Sequence, residues 1–249
     1  MGKFVLPVAV AVLTTLSALA WPYSGWSLME NLSTDTADRA VAAARRVGPR
    51  LERDLAALGL APGVPVFLRV FKRESVLELW VEARDGRYRR FRTYPICAWS
   101  GELGPKQREG DRQAPEGFYR ITPGLLNPRS RFHLAMNLGY PNAYDRGHGR
   151  SGDFLMVHGS CVSIGCYAMG DAAIEEIYTL VAAALARGQS AVEVHAFPFR
   201  LDAAALASEA GSPWHGFWSE LKAGYDAFER SARPPRIEVV GGHYRVGTR

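Results

Sequence analysis

Cysteine is scarce in this chain: three residues in 249, at Cys97, Cys161 and Cys166. No C-x-x-C pair occurs, and no H-x-x-x-H pair links the six histidines. The tightly spaced ligand pairs that build zinc sites are therefore missing, and no metal is expected. There is no G-x-x-x-x-G-K, and no G-x-G-x-x-G that follows a strand pattern. Phosphate-cradling loops are excluded with them, and no cofactor is expected. Internal repeats and low-complexity tracts are absent as well. Beyond residue 20, no apolar run is long enough to cross a bilayer. A dense basic arm is missing too. The net charge is +5, but the arginines are scattered through stretches such as "RDGRYRRFR". Such a surface favours anionic partners in general, and nucleic acid is not expected as a partner.

What is present is an ordinary globular composition, 47% hydrophobic and 22% charged. The first twenty residues differ from the rest. "MGKFVLPVAVAVLTTLSALA" has a charge at Lys3, an apolar run from Phe4 to Ala20, and small residues at Ala18 and Ala20. That is the layout of a secretory signal, with cleavage expected after Ala20 and no membrane span afterwards. A retained anchor is the alternative. Export implies oxidising surroundings, where an odd cysteine count leaves at least one free thiol.

Residues 21–61 read as a helical lead-in. Ala40, Ala43, Ala44 and Val47 form one stripe, and Pro49 is expected to break or kink the run before Leu51, Leu55 and Leu58. From residue 62 the pattern turns to alternating apolar and polar residues, with turns at Pro62-Gly63 and Asp85-Gly86, and predicts antiparallel strands. Short strands are expected around Phe118–Thr122 and Arg131–Asn137 within a loop-rich stretch from Gly101 to Gly152. "DFLMVHG" predicts a strand ending at His158. A helix capped by Asp171 follows, with Ile174, Ile177, Tyr178, Val181 and Leu185 on its apolar face. "AVEVHAFPFR" is a further strand. Residues 201–249 are then expected to form an extension with one aromatic-rich helix and a terminal strand or hairpin.

The chemistry concentrates in "MVHGSCVSIGCYAMGD", residues 156–171. His158 arrives on a strand, and a glycine-flanked turn returns the chain to Cys166. A thiol nucleophile needs a base within reach and donors for an oxyanion. His158 is the candidate base. The amides of Ile164, Gly165 and Cys166 are candidates for the oxyanion site, and Ser163 for support of the turn. A buried structural cysteine meets the same spacing. His148, on a Gly-flanked loop, is a rival base, and His133 reads as a packed strand histidine. Tyr140, Asn142 and Asp145 precede the strand and are candidates for lining a groove. Arg112 and Arg146 are candidates for pairing with substrate carboxylates. Cys161 has three open fates: pairing with Cys97, burial, or redox partnership with Cys166.

The same residues resemble the active-site signature of the L,D-transpeptidase (YkuD-like) family. His158-Gly159 matches its His-Gly, and Ser163-Ile164-Gly165-Cys166 its Ser-x-Gly-Cys. "GPKQREGDRQAPEGFYRI" resembles the strand upstream, and the similarity spans roughly residues 64–200. The family pattern places a histidine where this chain has Ile164, and an apolar residue and then arginine where it has Tyr167-Ala168. Both departures resemble the YafK-like (DpaA-like) branch.

The resemblance implies an α+β fold: a β-rich catalytic domain over 62–200, an antiparallel β-sandwich with flanking helices. It implies a monomeric periplasmic enzyme that acts on peptidoglycan stem peptides at meso-diaminopimelate. Cys166 is then the nucleophile, His158 the base, with Gly159 in the motif and Tyr167 beside the substrate. The branch implies hydrolysis of a diaminopimelate–lysine link that holds an outer-membrane lipoprotein to the wall. Formation of 3-3 cross-links or lipoprotein attachment is the alternative. A non-catalytic wall-binding module is the second alternative.

Overall fold

The computed structural model describes Met1, Gly2 and residues 38–247. The signal expected at 1–20 and the start of the lead-in lie outside the described residues, apart from Met1 and Gly2.

Strand β1 (Val66–Phe71) is buried at every position, as a strand covered on both faces must be. Hairpins place β2 (Val76–Glu82) against it and β3 (Tyr88–Pro95) against β2. On its other side, β1 pairs in parallel with β9 (Val192–Phe197), more than a hundred residues on. Strand β4 (Gly117–Ile121) closes the sheet, whose order is β3-β2-β1-β9-β4. A smaller sheet runs β5 (Leu126–Asn127), β6 (Ala135–Asn137), β7 (Met156–His158), β8 (Tyr167–Ala168). The α+β class is as expected. The pairing is mixed rather than purely antiparallel, because β1–β9 and β7–β8 run parallel.

Helix α1 (Asp38–Ala56) lies against α3 (Asp171–Ala186). The helix does not break at Pro49: α1 continues through it. An interior proline costs about 3 kcal/mol. Complete or near-complete burial of Ala43, Ala44, Leu51 and Leu55 outweighs that cost. Glu175 and Glu176, which α3 turns toward α1, are paired there: Arg46 forks onto Glu175 at 2.9 and 2.5 Å, and Arg50 and Arg92 reach Glu176. The N-cap of α3 is Gly170 rather than Asp171. Asp171 opens the helix, and its Oδ1 accepts the Ser160 amide at 2.7 Å.

The tail supplies α4 (Ala203–Ser208), α5 (His215–Ser231) and the hairpin of β10 (Arg236–Val240) and β11 (His243–Gly247). Trp218 and Phe217 of α5 join a second core with Phe71, Phe197 and Phe199. Trp218 Nε1 also donates to Glu116 Oε2 at 2.8 Å. Glu116 pairs at 2.9 Å with Lys72, and both side chains are fully buried. Lys72 Nζ faces three carbonyls besides, those of Glu102, Gly104 and Ala114. One ammonium thus pins both ends of the 102–114 loop to the sheet that supports the site.

No helix among the described residues is long and apolar enough to cross a membrane.

Candidate active site

In the parallel pair β7–β8, Val157 lies opposite Tyr167 and His158 opposite Ala168. Side chains alternate between faces along a strand. Val157 and Tyr167 therefore point inward, both fully buried. Cys166, one residue ahead of β8, falls on the same face as His158, diagonally across the two strands. Strand spacing and rise put such neighbours about 8 Å apart at Cα, within mutual reach of their side chains.

The turn that delivers Cys166 is closed by Ser163. Its Oγ donates to the Cys166 carbonyl at 2.8 Å and accepts the Gly165 amide at 3.1 Å. Gly165 has φ +133°, and a Cβ there would stand 3.2 Å from Leu155 Cδ1. Gly159 is required for another reason. A Cβ would lie 2.7 Å from Asp171 Oδ1 and 2.8 Å from the Phe132 carbonyl. Of the three amides expected to meet an oxyanion, Gly165's is already engaged by Ser163. Those of Ile164 and Cys166 are left for that role.

His158 is almost fully buried, and its Nδ1 lies 2.5 Å from the Gly159 carbonyl. A carbonyl only accepts, so Nδ1 carries the proton and Nε2 is the basic nitrogen. The Phe132 ring packs on the imidazole, 4.8 Å between centroids. Burial lowers the His158 pKa below its ordinary value, and the Gly159 carbonyl opposes this in part. Burial pushes the Cys166 thiol up, against the Met156 amide and the Lys106 charge, which favour thiolate. Both shifts favour neutral imidazole and neutral thiol over an ion pair. The thiol's hydrogen-bond partner is the Phe154 carbonyl, at 3.6 Å. Rotation about one side-chain bond redirects the sulfur, and catalytic contacts commonly tighten only with substrate present.

The three cysteines are sorted. Cys97 and Cys161 form a disulfide with Cα atoms 5.3 Å apart, and Cys166 is free. The bridge ties the loop between His158 and Cys166 to the chain leaving β3, where Cys97 and Ala98 also bond the backbone of Ala168. Native protein is expected to take up one equivalent of iodoacetamide, and three after reduction and unfolding. Removing the bridge with Cys97→Ser and Cys161→Ser together is expected to lower unfolding free energy by about 2–5 kcal/mol. Two or more labelled thiols in the native oxidised protein would contradict this pairing.

The groove candidates divide. Tyr140 is buried, with its hydroxyl on the Lys106 carbonyl. Asn142 caps α2 (Ala143–Gly147) in a capping box with Asp145. Asp145 is fully buried and paired with Arg150 at 2.9 Å. Tyr167 is fully buried, its hydroxyl donating to the Pro115 carbonyl at 2.6 Å. Tyr140, Asp145 and Tyr167 are thus buried in the scaffold, while Asn142 is half-buried at a cavity lined also by Phe118 and Tyr244. The polar atoms that marked them as ligands are spent on backbone groups and on each other. Arg112 and Arg146 are exposed. His148 stacks on Tyr144, its Nδ1 on the Tyr144 carbonyl at 2.9 Å. His133 precedes β6 with φ +67° and meets Glu175 at 2.8 Å, so it is not a strand residue.

Sequence reasoning missed Lys106. It is 4% exposed and hydrogen-bonded to Asp111 and to the Arg108 carbonyl. Its trace in the sequence is weak: a lysine five residues ahead of an aspartate in a Gly-rich loop. Phe132 and Phe154 were missed because nothing marks a phenylalanine as a neighbour of catalytic atoms.

The site therefore offers a free thiol at the head of a short strand pair and an imidazole oriented by a carbonyl on the same face, on an α+β fold. Residues 67–194 match the model of the YkuD L,D-transpeptidase catalytic domain, and the chain belongs to that family. It is 48% identical over 184 residues to YafK of Escherichia coli (strain K12), assigned by name to the L,D-transpeptidases, covering 74% of each chain. The YafK of Escherichia coli O157:H7 matches equally. Among solved structures, the helical cell shape determining protein Pgp2 of Campylobacter jejuni (K307A mutant) aligns with TM-score 0.44 and 20% identity, over 66% of this chain and 56% of that one. Bd1075 of Bdellovibrio bacteriovorus aligns with TM-score 0.39 and 15% identity, over 72% and 78%.

Proposed function

We propose that the protein is an exported, periplasmic peptidoglycan enzyme, with residues 62–200 as its catalytic domain. It would cut the amide between the L-centre carbonyl of meso-diaminopimelate and a lysine amine, releasing a wall-linked lipoprotein. The observation that carries this reading is the sorting of the thiols. With Cys97 and Cys161 joined, Cys166 is left free, and the β7–β8 register puts it on the strand face that carries the oriented His158 imidazole.

Each step balances. His158 Nε2 takes the Cys166 proton as Sγ attacks the carbonyl carbon, and the Ile164 and Cys166 amides receive the oxyanion. Collapse breaks the C–N bond, His158 returns the proton to the departing amine, and a thioester remains. Water then attacks the thioester, His158 accepts its proton, and the thiol is restored with a free carboxylate as product.

Two positions favour water over an amine as acceptor. Where the family pattern carries arginine, Ala168 is fully buried and bridged to Ala98, so no cation waits there for an acceptor carboxylate. Where the pattern carries histidine, Ile164 is apolar and 79% exposed. Incubation with lipoprotein-linked sacculi is the test. Free lipoprotein is expected from the wild type. New 3-3 cross-links or added lipoprotein would instead assign transfer.

A further inference from the structure

Seven large hydrophobic residues are exposed among the described residues, and four of them surround the reacting pair. Ile164 (79%) and Val162 (57%) stand on the turn into Cys166, Phe154 (68%) gives its carbonyl to the thiol, and Phe132 (37%) packs on His158. We propose that this rim docks the polypeptide being detached, taking apolar side chains next to the scissile amide. The proposal rests on the hydrolytic reading above and names which part of the substrate the site recognises.

The rim is held, not floppy. Phe154 has φ +55°, a backbone region unfavourable for a bulky residue. Asp153 Oδ1 accepts its amide at 2.6 Å. That conformation turns the carbonyl to Cys166 and leaves the ring in solvent, where packing cannot offset the strain. Strain kept at such a position is a mark of function. Val162 and Ile164 alternate with fixed points: the disulfide at Cys161, the Ser163 hydroxyl bonds and the tight turn at Gly165. A surface ordered before binding loses less entropy when it docks a partner.

The chemistry of the partner follows from what the rim can bury. Wall glycan and stem peptide offer hydroxyls, carboxylates and amides, with little apolar area. A polypeptide on the leaving side of the bond offers valine, leucine or methionine side chains. A lipid surface is apolar too, but it would seal the mouth through which the wall strand must reach the thiol.

The experiment compares two synthetic substrates with the same diaminopimelate stem peptide. In one the stem is joined to lysine alone. In the other it is joined to a lysine that ends a twelve-residue polypeptide containing Val and Leu. The wild type is expected to favour the long substrate at least tenfold in kcat/KM. In Val162→Ser/Ile164→Ser, and separately in Phe154→Asn, which tolerates the left-handed backbone, that preference is expected to fall below threefold. The inactive Cys166→Ala protein is expected to bind the long compound at least tenfold more tightly than the short one, by calorimetry. An unchanged preference in both variants overturns the proposal. So does sedimentation of the wild type, but not the variants, with phosphatidylglycerol–phosphatidylethanolamine vesicles. If the wild type releases no amine from either substrate, the hydrolytic reading fails. The affinity ratio in Cys166→Ala still decides the docking.

Discussion

Cys166→Ala is expected to remove all measurable release of lipoprotein from sacculi, a loss of at least a thousandfold, while the fold is retained. In the proposed mechanism the thiol supplies the covalent intermediate, and no other free cysteine exists to replace it. The side chain is half-buried and its bond to the Phe154 carbonyl is long, so its removal costs little stability. His158→Gln is expected to cut the rate by about a hundred- to ten-thousandfold, the usual range for one proton-transfer group.

The pH profile carries the same argument. The proposed mechanism needs His158 neutral and the thiol protonated. Burial moves the His158 titration down, so the acid limb is expected below the ordinary histidine value of about 6.5. Burial moves the thiol up, so the alkaline limb is expected above the ordinary cysteine value of about 8.5. The result is a broad plateau across neutral pH in kcat/KM. A narrow bell centred near pH 6 would point to a preformed thiolate–imidazolium pair and contradict this assignment.

Lys72→Met is the substitution expected to cost most in stability. It leaves the Glu116 carboxylate fully buried with only the Gly104 amide and the Trp218 indole as donors. Breaking one partner of a buried ion pair costs about 3–5 kcal/mol. It also takes the ammonium from the carbonyls of Glu102, Gly104 and Ala114, leaving the first two with the Gln113 side-chain amide alone, in the loop whose Gln113 carbonyl would stand 3.4 Å from a Cβ at Gly165. Activity should therefore fall together with stability. Urea unfolding checks the first effect. The double variant Lys72→Met/Glu116→Gln is expected to recover part of the loss, because no charge is then left unpaired. A loss below about 1 kcal/mol for Lys72→Met would mean that the pair does not anchor this loop.

Much of the scaffold was legible in the sequence because it is local. Alternation marks β2 and β3, and the Ile174–Leu185 stripe marks α3. What was not legible depends on partners distant in sequence. The parallel register of β1 with β9 is one case, and the α3 surface that carries α1 through Pro49 is another. The candidate site shows the same division. His158 and Cys166 are eight residues apart, and the short strands between which they sit place them on one face. Tyr140, Asn142, Asp145 and Tyr167 carry polar groups that suit a ligand. Only the fold reveals that Lys106, Arg150 and the carbonyls of Phe118 and Pro115 already engage them. Three cysteines allow three pairings. The bridge of Cys97 to Cys161, 64 residues apart, follows from the backbone bonds that bring Cys97 and Ala98 alongside Ala168.

The central claim is a thioester on Cys166. Wild-type protein mixed briefly with a diaminopimelate–lysine stem substrate, quenched in acid and digested, is read by mass spectrometry of the peptide that contains Cys166. The account predicts a transient adduct of the acyl fragment on Cys166, absent in His158→Gln at the same mixing time and discharged to free carboxylate in the wild type. Release of the lysine-bearing product from substrate with Cys166 unmodified at every mixing time would contradict it.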